Sequence, residues 1–263
     1  MPQSLFPRYR DAIAHYPTDS GTGTGARKPA ALPEDLLISR DGPLSIYYAP
    51  FEHPSPKAKV VLLGITPGLT QADNALRIAR TELEAGSNEQ DILRKARQGG
   101  AFSGKMRTPL IAMLDCVGLN AYLGINSCAS LFDEHRDWLQ SMSAIVFPTF
   151  VDGKNYGGSN PTLTGHPALR ALMTSHLAPM LDTLQDAVIV PLGPKPEAAI
   201  GWVAANHGVR PPLVLRGMPH PSGSNAERIA YFLGRKPREA LSNKTNPDKY
   251  DQAKALMKAL LKQ

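Results

Sequence analysis

Apolar positions fall into short unbroken runs separated by longer stretches in which they recur at helical spacing. Residues 59–63 (KVVLL) form one such run and end in a Gly/Pro turn, the pattern of a buried parallel strand. Residues 187–192 (AVIVPL) form a second, and shorter runs predict strands at 45–48, 144–151 and 213–215. Between them, helices are predicted over 71–85 and 89–98, both with charged faces. Further helices are expected at 107–117, where a proline stands near the start and its missing N–H costs least, and over the long stretch 166–184. Residues 197–206, 226–233 and 248–261 complete the series, and a short helix is expected at 4–15. The alternation of strand and helix predicts an α/β fold with a mostly parallel sheet and helices on both faces. Residues 18–34 are rich in Gly, Thr, Ser and Pro and read as a flexible lead-in, about 1–35, to a single domain.

Composition narrows the function classes. With 42% hydrophobic and 20% charged residues over 263 positions, the chain has a globular make-up. It has no apolar run of membrane-spanning length and no apolar core near the N-terminus, so a cytoplasmic protein is expected, with no membrane partner. Two cysteines make no disulfide framework and fall short of an iron–sulfur ligand set. Seven histidines form no H-x-x-x-H or H-E-x-x-H pair, so neither metal nor other cofactor is expected. The net charge is +6, and its distribution is uneven. Residues 226–263 carry nine basic and four acidic side chains, whereas the rest is close to balanced. A basic C-terminal helical tail on a near-neutral body suits a polyanionic partner.

Two turns stand out, each at the carboxyl end of a predicted strand, where ligands of open α/β sheets bind. The first is Gly64-Ile65-Thr66-Pro67-Gly68, a tight turn that exposes backbone N–H groups. It is neither a Walker A loop nor a dinucleotide fingerprint. The second is Met218-Pro219-His220-Pro221-Ser222-Gly223-Ser224-Asn225. Here prolines on both sides pin a histidine, which suits a hydrogen-bond donor to a developing anion.

In order, strand context and separation, the paired turns resemble the signature of the uracil-DNA glycosylase superfamily, over roughly residues 59–233. The string His53-Pro54-Ser55-Pro56 precedes the first core strand instead of following the last and is not part of the resemblance. The resemblance implies a three-layer α/β/α sandwich and a base-flipping enzyme that breaks an N-glycosidic bond. His220 then takes the place of the histidine that stabilises the departing base through its O2, with the Ile65 N–H facing the same atom. Thr66 stands where many relatives carry Asp or Asn to hold the attacking water. A hydroxyl is a feeble base, so a neighbour, Asp73 or Gln71, is an alternative holder. Phe102 is expected to stack on the flipped base, although plain core is an equal reading of it. Asn155, or failing that Asn160, is expected to read the pyrimidine edge, and either is also an ordinary turn residue. Ser222, Arg228, Arg235, Lys236 and Arg238 follow the second turn, where relatives clasp DNA phosphates.

Residues 71–100 lengthen the connection after the first turn beyond that of compact relatives. They are expected either to widen the pocket for a bulky base or only to thicken the fold. The resulting expectation is a monomeric DNA glycosylase acting on a modified pyrimidine, with a role in defence against phage DNA carrying such bases. Uracil excision in base-excision repair is one alternative. A catalytically weak nucleic-acid-binding protein on the same fold is another.

Overall fold

In the computed structural model, residues 4–17, 31–53, 55–100 and 106–262 are described. The strands are β1 (Leu37–Asp41), β2 (Leu44–Tyr47), β3 (Val60–Gly64), β4 (Leu139–Ser143), β5 (Thr149–Val151), β6 (Lys154–Asn155) and β7 (Val188–Pro191). The helices are α1 (Phe6–Ala14), α2 (Leu69–Glu84), α3 (Glu89–Gly100), α4 (Arg107–Val117), α5 (Leu119–Leu123), α6 (Pro167–Leu172), α7 (Ala178–Thr183), α8 (Pro194–His207), α9 (Ala226–Phe232) and α10 (Pro247–Leu260). A single π turn, Met173–Leu177, joins α6 to α7, so the long helix expected at 166–184 is continuous.

The protein is α/β, with its strands in two hydrogen-bonded sheets. A parallel sheet has the order β4-β3-β7, and an antiparallel sheet the order β1-β2-β5-β6. Strand β3 is central in the parallel sheet, pairing Val60 with Leu139 on one side and with Val188 on the other. Its apolar run serves both faces. Val61 and Leu63 pack with Ala72 and Leu76 of α2 and Ile200 and Val203 of α8. Val60 and Leu62 pack with Leu110 and Leu114 of α4, Phe232 of α9 and Met257 of α10. An unbroken run of four fully buried aliphatics is what a strand covered on both sides requires.

The structure departs from the sequence expectation in four places. The strand expected at 144–151 forms only in its second part. The strand of the parallel sheet, β4, ends at Ser143, before the expected range; residues 144–148 are not strand, although Ala144 N–H donates to the Gly64 carbonyl and Ile145 N–H to the Ile65 carbonyl. The second part, β5, pairs antiparallel with β2. Pro148, which has no N–H to offer a ladder, stands at the break and accepts from Tyr47 N–H through its carbonyl. The strand expected at 213–215 is reduced to a parallel bridge of Val214 to Ile189, following Pro211 and Pro212. Strands β1 and β6 and the short helix α5 are not among the expected elements. Finally, neither terminal segment behaves as a free appendage. Helix α1 buries Phe6, Tyr9 and Ile13, and α10 seals the second face of the parallel sheet through Met257.

Candidate active site at the carboxyl edge of the parallel sheet

The first turn runs from the end of β3 into α2 and is held on three sides. The Thr66 hydroxyl donates to the Phe147 carbonyl at 2.8 Å and accepts from Thr149 N–H at 3.1 Å, which pins the turn to the entry of β5. Gly68 N–H donates to Gln71 Oε1 at 3.0 Å, and Leu69 N–H donates to Asn155 Oδ1 at 2.9 Å. These side chains satisfy amides at the start of α2 that have no helical acceptor. A Cβ at Gly68 would stand 3.3 Å from Asn155 Nδ2, so glycine permits this close approach. Among the described residues, none of the turn's backbone bonds uses the Ile65 N–H.

The second turn is fixed by α8 and by its own backbone. Gly217, at φ 90°, donates its N–H to Glu197 Oε1 at 2.6 Å. Pro219 and Pro221 are buried on either side of His220. Ser222 N–H donates to His220 Nδ1 at 3.3 Å. A ring nitrogen that accepts carries no proton, so the neutral imidazole bears its hydrogen on Nε2. Burial pulls the pKa of His220 below the ordinary histidine value, which favours that neutral form.

The two turns, far apart in sequence, line one cleft of about 360 Å³. Its walls include Ile65, Thr66, Gln71, Asn155, His220 and the aromatic Phe51. Thr66 is therefore at the cleft, but its hydroxyl proton is committed to Phe147. Asp73 is not among the cleft residues. It is buried under the end of α1, where it accepts from the Tyr16 hydroxyl and Arg77 Nε, both at 2.9 Å. No described residue lining the cleft is a carboxylate. Asn160 lies exposed in the turn after β6 and does not reach the cleft. Phe102 lies outside the described residues. Phe51 was not singled out from the sequence, because it follows β2 and lies well before the first turn. Gln71, from the lengthened connection, does reach the wall.

Beside His220 a smaller groove, about 170 Å³, has Lys195, Arg228 and Lys249 in its walls, together with Glu197, whose Oε1 accepts from Gly217 N–H. Ile65 and His220 belong to both spaces. Arg228 is oriented by Asn225 Oδ1 at 2.5 Å and the Lys244 carbonyl at 3.1 Å. Lys195 and Lys249 were missed in the sequence, and only the fold brings them beside Arg228. The other expected cations fare differently. Lys236 is paired with Glu227 at 2.7 Å, and Arg238 with Asp248 and Asp251. Arg235 is exposed and lines neither space. Ser222 binds Ser224 and Asn225 through its hydroxyl, as part of the turn itself.

Among the described residues, no helix is long and apolar enough to cross a membrane. No protein-family profile matches the chain. It is 34% identical over 207 residues to the uncharacterized protein YoxB of Bacillus subtilis (strain 168), across 78% of this chain and 81% of that protein. Identity at this level over most of both chains places them in one family: the protein belongs to the family of Bacillus subtilis YoxB.

Proposed function

We propose that the protein is a DNA glycosylase on a uracil-DNA-glycosylase-like three-layer α/β/α sandwich, hydrolysing the N-glycosidic bond of a flipped pyrimidine. The observation that carries this reading is the meeting of the Gly64–Gly68 turn and His220 in one cleft, with Nδ1 of His220 occupied and Nε2 left as the donor. In this reading the base O2 receives hydrogen bonds from His220 Nε2–H and the Ile65 N–H. The C1′–N1 bond breaks with its electron pair going to the base, and the anion so formed is stabilised by both donors. Water then bonds to C1′ and releases its proton to solvent, leaving an abasic site. With no carboxylate on the described cleft wall, leaving-group stabilisation carries the reaction rather than activation of the water.

Asn155 fits the reading as an edge reader, since its carbonyl is held by Leu69 and its amide nitrogen is left to donate. Phe51 supplies an aromatic wall, and the groove of Lys195, Arg228 and Lys249 offers a place for a backbone phosphate. The proposed substrate is a modified pyrimidine, in defence against phage DNA. Uracil in base-excision repair is the alternative that the same cleft serves. The commitment of the Thr66 hydroxyl favours a second reading, a nucleic-acid-binding protein with little catalysis.

Duplex oligonucleotides carrying uracil, hypoxanthine, 5-hydroxymethylcytosine or its glucosylated form, scored for alkali-labile abasic sites, test the proposal. Strand scission at uracil or at either cytosine derivative supports it, and scission at hypoxanthine, a purine with no O2, contradicts the pyrimidine assignment. Tight binding with no scission on any duplex supports the binding-protein reading instead.

A further inference from the structure

A second cavity adjoins the cleft. It measures about 330 Å³, and its walls combine the polar Glu52, His53, Gln90, His176 and Thr183 with the apolar Leu93, Leu177, Pro179 and Met180. Phe51, Met142, Ser143 and Val146 line both spaces, so one layer of side chains separates them. The cleft shares different residues, Ile65 and His220, with the basic groove, and groove and chamber share none. The cleft therefore connects the other two spaces, in the order basic groove, cleft, chamber.

That order is the order of groups in a pyrimidine nucleotide. Phosphate and sugar come first, then N1 with its neighbour O2, and last the ring edge across from them. C5 is the ring atom diametrically opposite the carbon that bears O2. A base whose phosphate lies by Lys195 and whose O2 meets His220 turns C5 toward the Phe51 side, where the chamber begins.

Two residues of the chamber wall carry polar atoms without partners. Glu52 Oε1 accepts from the Tyr48 hydroxyl at 3.0 Å, Leu5 N–H at 3.2 Å and the Ser4 hydroxyl at 3.3 Å. Glu52 Oε2 and His53 Nδ1 are buried and unpaired. Buried polar atoms are nearly always paired, so two orphans on adjacent residues of one cavity wall are a departure that hydrogen-bonding groups of a ligand would relieve. No described lysine or arginine lines the chamber, which disfavours a phosphate. Burial holds the Glu52 carboxyl up at about 7 and both His53 and His176 below the ordinary histidine value. Burial thus disfavours charge on each of these groups, and the lining offers donors and acceptors together. Neutral hydroxyls, which donate and accept at once, match it better than an ammonium group.

We propose that the chamber is a subsite for a hydroxyl-bearing substituent, such as a hexosyl group, carried at C5 of the flipped pyrimidine. The proposal rests on the glycosylase reading. It assigns a use to His53, from the string set aside as unrelated to the second turn, and to Gln90 of the lengthened connection.

The test compares single-turnover release from duplexes containing uracil and glucosylated 5-hydroxymethylcytosine. Glu52→Gln keeps the shape of the side chain, and Thr183→Trp or Gln90→Trp plugs the chamber from an exposed rim position. The expected result is a tenfold or greater loss of release of the glucosylated base in each variant. Release of uracil, duplex affinity and Tm should stay within twofold or a few degrees of the parent. Release of uracil alone by the parent protein, or equal losses on both bases, overturns the chamber assignment and leaves the glycosylase reading standing. Release of no base by the parent overturns both.

Discussion

Ser222 N–H and His220 Nδ1 stand 3.3 Å apart, and this one bond decides which nitrogen of the imidazole carries the proton. The backbone of Ser222 has φ −76°, which proline adopts without strain, while proline lacks the N–H. Ser222→Pro therefore removes the tautomer lock together with the hydroxyl's bonds to Ser224 and Asn225, and Ser222→Ala removes the hydroxyl's bonds alone. The expected outcome is a fall in kcat of about tenfold, the scale of one modest hydrogen bond, with KM nearly unchanged. A Ser222→Ala control should behave as the parent. Equal kcat in Ser222→Pro and parent would show that the lock has no bearing on turnover.

Thr66 separates a structural role from a water-holding one. Thr66→Val leaves the Phe147 carbonyl and the Thr149 N–H without their partner. The expected cost is about 1–3 kcal/mol of stability, read as a lower Tm or denaturant midpoint. Thr66→Ser keeps the hydroxyl and should retain most of that stability. If Thr66→Val is as stable as the parent but loses turnover, the hydroxyl serves the water instead.

Duplex affinity should depend on salt through the groove rather than through Arg238. Each phosphate contact adds about 0.9 to the slope of log Kd against log salt. Lys195→Ala and Lys249→Ala are each expected to reduce the slope by up to about that amount. Arg238→Ala, whose guanidinium is already engaged by Asp248 and Asp251, should leave it unchanged. The reverse ranking would move the DNA face to the C-terminal helix.

Glu52 makes stability depend on pH in a predictable direction. Burial raises its folded-state pKa to about 7 from an ordinary value of 4.5. The folded state therefore holds a proton that the unfolded state releases, and this contribution fades as pH rises from about 4.5 through 7. Tyr48 is its hydrogen-bonded titratable partner, and His53 and His176, on the same cavity wall, have pKa values below the ordinary one. Glu52→Gln does not titrate, so its stability relative to the parent should climb between pH 5 and pH 8. A constant difference across that range would place the carboxyl in contact with water.

The sequence makes the parts of the fold with local causes legible. The apolar runs behind β3 and β7 and the bounds of α4 follow from periodicity alone, and both turns announce themselves by glycine and proline. The break at Pro148 is visible as a residue, but the decision of β5 to pair with β2 is a long-range one that no local pattern encodes. The same holds at the site. His220 and Ile65 can be placed from their turns, whereas Lys195, Lys249, Phe51 and Glu52 reach their cavities only through tertiary packing. Asp73 misleads for a related reason: one helical turn past the first motif, it lies on the face of α2 that meets Tyr16 rather than on the face toward the cleft.

The most direct test of the central claim is single-turnover abasic-site formation by the parent protein and by His220→Ala on the same panel of duplexes. The proposal predicts release of at least one pyrimidine by the parent and a fall of about a hundred- to a thousandfold in the variant, the cost of removing one preorganised donor to a developing anion. Duplex affinity and Tm should be little changed. Equal release by a folded His220→Ala protein would contradict the account.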